Sequence, residues 1–226
     1  MTDAAPAAAG APGWLGILML DTRFPRPAGD VGNPASWPMP VRYRVVAGAS
    51  PRRVVQQADR TLLAPFVEAG RALAAEGARA LATSCGFLVR WQRELQDALS
   101  VPVWTSSLLA LPALLRPGVL TVDATSLGAA ELAAASAAAD TPVEGLAADS
   151  HLRRVLLENL PALDFARAEA DTVAAAQRLV ARAPAVAAIV FECTNLPPYA
   201  AAVRRATGRP VHHLTTLVTE RWRTLQ

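Results

Sequence analysis

Short runs of Val, Ile and Leu alternate along the chain with longer alanine-rich segments of helical period. That is the pattern of an α/β protein whose parallel strands are buried on both faces. Strands are predicted near residues 14–20, 41–46, 79–84, 101–104, 118–122, 143–146, 187–192 and 210–212. Helices are predicted over about 51–76, 87–99, 106–115, 126–139, 150–160, 167–182, 197–207 and 214–225, with Pro65 kinking or dividing the first.

The second half of this pattern repeats the first. Pro102 of "SVPVW" follows Cys85 by 17 residues, and Pro210 of "GRPVH" follows Cys193 by the same 17. "GWLGILMLDT" and "PGVLTVDAT" are both glycine-preceded apolar strands ending in Asp, with Thr within two residues. The pattern implies two pseudo-symmetric α/β domains, each a four-stranded parallel sheet with flanking helices and each carrying a cysteine just after its third strand. The domains expected are 13–115 and 116–211, with the carboxy-terminal helix, 212–226, packing back on the first and residues 1–12 forming a disordered tail. One segment breaks the repeat. "DTRFPRPAGDVGNPASWPMP", residues 21–40, holds five prolines and two glycines where the second half has a helical stretch. It reads as a loop of the length of an active-site lid, with Phe24 and Trp37 packing it over the open strand ends.

Composition narrows the chemistry. All 22 basic residues are arginine, so a lysine Schiff base to pyridoxal phosphate, a lysine aldolase and a Walker A phosphate loop are excluded. The net charge of +3 is modest and the arginines are scattered among alanines, which argues against a nucleic-acid partner. The most apolar stretch, 101–115, is too short and too interrupted for a membrane span, and the first dozen residues lack the pattern of a signal peptide, so a cytoplasmic protein without a membrane partner is expected. Two cysteines and three histidines make no metal set: His212 and His213 are adjacent and point apart, and a cytosolic disulfide is disfavoured.

Both cysteines fall where a parallel sheet presents ligands, at the carboxyl ends of strands and the starts of helices. In "ALATSCGFLVRW", Thr83 and Ser84 close the strand, Cys85 sits in the turn and Gly86 permits the bend. In "IVFECTNLPPY", Cys193 ends the strand, Thr194 and Asn195 are natural caps, and Pro197 or Pro198 suits a first helical turn. A helix start offers free amides and a partial positive charge, which lower a thiol pKa and hold a carboxylate. A lone cysteine would be core filler. Two at equivalent turns of related halves instead face one another across a cleft. Asp21, Thr22, Thr125 and Ser126 lie on the same strand-end rim, where each could equally serve as a cap or turn residue.

The "TSCG" and "ECTN" turns, their separation of 108 residues, and the strand-ending "LDT" and "VDAT" closely resemble the aspartate/glutamate/hydantoin racemase superfamily. The resemblance implies a cofactor-independent isomerase, a racemase or epimerase of an α-substituted carboxylate such as an amino acid, with the site in the cleft between domains. It implies that Cys85 and Cys193 stand on opposite faces of the α-carbon, one thiolate taking the proton and the other thiol returning one. Inversion needs a base and an acid with exchangeable roles, and a thiol of ordinary pKa about 8.5 can be either. The resemblance assigns the grip on a small-molecule carboxylate to Thr22, Ser84, Gly86, Thr125, Thr194 and Asn195, with Asp21 and Phe87 beside them, and a homodimer as the assembly. Glutamate racemases carry Cys-Asn-Thr and Cys-Thr-His where this chain has Cys85-Gly86-Phe87 and Cys193-Thr194-Asn195. Phe24, Trp37 and Phe87, in the pocket, would suit a larger or less polar group. Maleate cis-trans isomerases also keep two cysteines, arylmalonate decarboxylases look to a single cysteine at the second position, and a non-catalytic binding protein or a thiol redox protein are the readings outside catalysis by proton transfer.

Overall fold

The computed structural model describes residues 13–225; segment 1–12 and Gln226 lie outside the described residues, and with them the expected tail. The chain begins with β1 (Trp14–Leu20) and, after the loop, β2 (Val41–Val46). It continues through α1 (Leu63–Ala75), β3 (Ala78–Thr83), α2 (Gln92–Ala98) and β4 (Val103–Trp104). The second half runs β5 (Pro117–Thr121), α3 (Ala129–Ala134), β6 (Val143–Gly145), α4 (His151–Leu157), α5 (Phe165–Arg182), β7 (Ala188–Phe191), α6 (Ala200–Thr207), β8 (Val211–His212) and α7 (Leu214–Arg223). The two sheets have the orders β2-β1-β3-β4 and β6-β5-β7-β8, with every pairing parallel. The duplication read from the spacing is therefore a duplication of topology, and β3 and β7 are equivalent central strands.

All seven residues of β1 are buried, as a central parallel strand covered on both faces requires. One core cluster runs from the inner face of the first sheet through Phe87 and Leu88 to Val119, Val190 and Tyr199, so the two domains share it. A second cluster covers the other face of the first sheet. There Leu15, Ile17 and Met19 pack with Val31, Trp37 and Met39 of the loop and with Leu214, Leu217, Val218 and Trp222 of α7.

Two expectations are corrected. Pro65 does not divide the first helix. It sits in the first turn of α1, where a missing N–H costs nothing. The break comes earlier, between a π-helical turn over Arg52–Gln56 and a 3₁₀ turn over Arg60–Leu62, with Ala58 in the left-handed region at φ 49°. The elements after the two cysteines also begin as 3₁₀ helices, Gly86–Trp91 and Pro197–Tyr199, rather than as α-helices.

Loop 21–40 is ordered by its own polar groups. Arg26 bridges Thr22 and Asp30 at 2.7 and 2.9 Å, Ser36 Oγ donates to the Asp30 carbonyl at 2.6 Å, and Trp37 Nε1 donates to the Val31 carbonyl at 2.9 Å. Gly29, at φ 102°, lies against Pro198 so closely that a Cβ would stand 2.9 Å from its backbone. The loop thus straps the first domain to the second cysteine turn.

Candidate active site

The cysteine turns meet at the domain junction. Ser84 N donates to the Leu18 carbonyl and Ser84 Oγ accepts from Leu20 N at 2.8 Å, which fixes the first turn to β1. Glu192 N donates to the Leu120 carbonyl, which fixes the second turn to β5. The turns are then tied to each other by Thr194 Oγ1, which donates to the Ser84 carbonyl at 2.6 Å, and Ser107 Oγ, from the 3₁₀ helix that follows β4, donates to the Phe191 carbonyl at 2.5 Å. Val31 N donates to the Thr194 carbonyl at 3.3 Å, bringing in the loop. Asn195 Nδ2 donates to Asp30 Oδ2 at 2.6 Å, which turns its Oδ1 toward the Cys193 thiol, 3.6 Å away.

Cys85 and Cys193 are both free, both buried, and both line one small cavity of about 30 Å³. Ser84, Gly86, Phe87, Thr194 and Asn195 line it with them, so seven of the residues expected at the site converge. Phe24, Val55, Leu156 and Leu157 form much of the rest of the wall. A space of that size holds a water or two. A ligand larger than that has to displace the wall that Pro51 and Leu157 share with an outer cleft bordered by Arg52, Arg153 and Arg154.

Three residues expected at the site lie elsewhere. Asp21 is exposed and its carboxylate accepts from Gly48 N at 3.2 Å. Thr22 accepts from Arg26, three hydrogen bonds away from Asn195. Thr125 donates to Asp123 Oδ1 at 2.7 Å, in a turn that Ser126 also supports. Each is a short polar side chain at a strand end, and each satisfies local backbone or side-chain groups instead of facing the cavity. Trp37, too, packs on the far face of the first sheet and not in the cavity.

The residue not foreseen is Glu192. It is fully buried between Phe191 and Cys193 and lines the cavity. Thr121 Oγ1 donates to its Oε2 at 2.6 Å, whereas Oε1 is buried and has no partner. Burial pushes its carboxyl up to about 8, against the pull of the Thr121 hydroxyl and the Arg90 guanidinium.

The thiols are shifted the opposite way from the sequence expectation. Burial first, and then the Glu192 carboxylate, push Cys85 up to about 12 and Cys193 well above the usual thiol range. The Phe87 and Asn195 backbone amides oppose the shift at equivalent positions, two residues beyond each cysteine, but desolvation wins. Two 3₁₀ turns after Cys85 and one after Asn195 and Leu196 stand where α-helix starts were expected, and their amides do not offset the desolvation. Both cysteines are thus held as neutral thiols, and the group that ionises first is Glu192. Among the described residues no group of three or more His, Cys, Asp or Glu side chains is placed to hold a metal ion, and no helix is long and apolar enough to cross a membrane.

No family model matches the chain. It is similar to a dimethylsulfoniopropionate lyase of Durusdinium sp. clade D, 30% identical over 220 residues covering 88% of this chain and 70% of that protein. It is also similar to dimethylsulfoniopropionate lyase 7 of Emiliania huxleyi (strain CCMP1516), 29% identical over 227 residues, 89% of this chain and 64% of that protein. The chain therefore spans less than two thirds of the length of the Emiliania huxleyi relative. Among solved structures, unliganded arylmalonate decarboxylase superposes with a TM-score of 0.62 at 19% identity, over 94% of this chain and 92% of that one. An aspartate racemase homologue from Pyrococcus horikoshii OT3 gives 0.58 at 12%, over 93% and 97%. The fold is the one these solved structures share, as the two cysteine turns implied.

Proposed function

This chain belongs to the dimethylsulfoniopropionate lyase family, and we propose on that premise that it is a carbon–sulfur lyase acting on a small β-sulfoniocarboxylate such as dimethylsulfoniopropionate. The observation that carries the reading is the pair of buried thiols, Cys85 and Cys193, on one small, largely apolar cavity. A thiolate of the pair removes a proton from the carbon next to the carboxylate. The electrons of that C–H bond form the carbon–carbon double bond, the bond from the β-carbon to sulfur breaks, and its electron pair leaves on sulfur. The products are acrylate, neutral dimethyl sulfide and a proton now on the thiol. The leaving group departs uncharged and needs no acid, so a single base suffices.

The substrate carboxylate is received at the backbone of the second cysteine turn around Thr194 and Asn195, where charge develops as the α-proton leaves. Closure of the cavity keeps water from the carbanion-like state. The same first step, proton removal beside a carboxylate, underlies racemisation, and the equivalent placement of the two thiols favours a cofactor-independent racemase as the second reading. The two differ in how many thiols they need. Purified protein supplied with dimethylsulfoniopropionate should release dimethyl sulfide, and Cys85→Ser and Cys193→Ser should be unequally affected, at least one losing ~100-fold or more. Sulfide release unchanged in both variants would refute the role of the thiols. Equal loss in both, with α-proton exchange on an amino acid and no sulfide, would favour the racemase.

A further inference from the structure

Glu192 stands alone in charge on the cavity wall. No arginine or histidine lines the space beside it. The nearest cations lie outside the cavity wall and are engaged in part: Arg90 pairs with Glu131 at 2.9 Å, with its Nε buried and without a partner, and Arg26 pairs with Asp30 at 2.9 Å. Glu192 Oε2 is occupied by Thr121, and Oε1 is fully buried without a partner. A buried oxygen in that condition is costly unless something else completes it. The rest of the wall is supplied largely by Phe24, Phe87, Val55, Val122 and Leu156. Aromatic faces and aliphatic surface around one carboxylate suit a methylated cation, whose methyl groups want apolar contact and whose charge wants a counter-ion. A dicarboxylate would instead bring a second and third negative charge against Glu192 with no cation to balance them.

The geometry points to Glu192 Oε1 as the counter-ion of an onium group, sulfonium or quaternary ammonium, carried by a small carboxylate that enters the cavity as a zwitterion. This deepens the lyase reading and rests on it for the site's substrate. Ligands without the cation are then rejected by the same carboxylate that holds the cationic ones. The ionisable groups that face Glu192 are Cys193 on its own turn, Cys85 from the first domain, Arg90 of the 3₁₀ helix and Glu131 of α3. Arg90 and Glu131 are paired with each other, and both thiols ionise above Glu192. Onium binding therefore displaces the proton of Glu192, whose carboxyl is pushed up to about 8.

The test is calorimetric and needs no turnover. 3-(Trimethylammonio)propanoate, whose amine is a poor leaving group, is compared between pH 6 and 9 with 4,4-dimethylpentanoate, the isosteric carboxylate that lacks the cation. The onium compound should bind at least about tenfold tighter at pH 8.5, with an affinity that climbs by up to about tenfold per pH unit and levels near 8. The carboxylate without the cation should show no such climb. Glu192→Gln should bring the two within about threefold and flatten the pH dependence. Proton release on binding at pH 7, measured in buffers of different ionisation enthalpy, gives the same answer in the unmodified protein should the variant fail to fold. Equal affinities in the unmodified protein, a preference that survives Glu192→Gln, or failure of the onium compound to bind would overturn the assignment. Onium preference without sulfide release from dimethylsulfoniopropionate would keep Glu192 as counter-ion and sink the lyase. Sulfide release without the preference would do the reverse.

Discussion

A methyl group on Gly86 would stand 2.2 Å from the carbonyl oxygen of Glu192 and 2.5 Å from its Oε1. Gly86 follows one cysteine and Glu192 precedes the other, so this contact is where the two halves of the site touch. The carbonyl belongs to a backbone held by β5 and cannot yield as a side-chain tip would.

Gly86→Ala should therefore push the two turns apart. Overpacking of this kind costs roughly 1–3 kcal/mol, and displacing reacting groups by about 1 Å costs on the order of 100-fold in rate. Thermal melting and the rate of sulfide release measure the two effects. A variant with unchanged melting temperature and rate would mean that the turns are not in register as described.

Thr194→Val removes the hydroxyl that joins the second turn to the Ser84 carbonyl at 2.6 Å, with little change of shape. It leaves a buried carbonyl short of a donor, a loss of about 1–3 kcal/mol. A drop of several degrees in melting temperature is expected. Because Thr194 also borders the cavity, the rate should fall with it.

Much of this was legible in the amino-acid sequence, and the reasons are specific. The strands stood out because runs such as "WLGILML" and "AIVF" are buried on both faces and contain little else. The cysteine turns stood out because the equal spacing to Pro102 and Pro210 reports a repeated topology. The 3₁₀ starts after Cys85 and Cys193 did not, since Gly-Phe-Leu and Pro-Pro-Tyr suit an α-helix as well. Thr22 and Thr125 were misplaced because a hydroxyl at a strand end has two competing uses, and the local one won. Glu192 was passed over as an ordinary carboxylate. Its only signal was position, an acid between Phe191 and Cys193 at the end of a strand with no exposed face.

That position has a price in stability. The Glu192 carboxyl is pushed up by burial to about 8 from an ordinary value of 4.5. Below about 4.5 both folded and unfolded chains hold the proton and no penalty exists. Between there and about 8 the unfolded chain releases it and the folded chain does not, so stability falls as pH rises. Glu192→Gln, which has no proton to lose, should match the parent near pH 4 and exceed it in melting temperature by pH 8. A difference that shrinks with rising pH would contradict the burial of an uncharged Glu192.

Activity should run the other way. In the free protein burial pushes the Cys85 thiol up to about 12 and holds the Cys193 thiol well above its usual range, so the basic form is scarce at neutral pH and grows with each unit. Log kcat/KM for sulfide release is expected to climb from pH 6 to 9 with a slope of about one or more. A bell-shaped profile falling before pH 9 would point to an acid that elimination does not need.

The most direct test is a proton NMR time course of the purified protein with dimethylsulfoniopropionate in deuterated water. The account predicts dimethyl sulfide and acrylate appearing in equal amounts, with the α-proton lost in every molecule that reacts. Substrate that stays intact, while the α-proton of an amino acid exchanges and its configuration inverts, would contradict it.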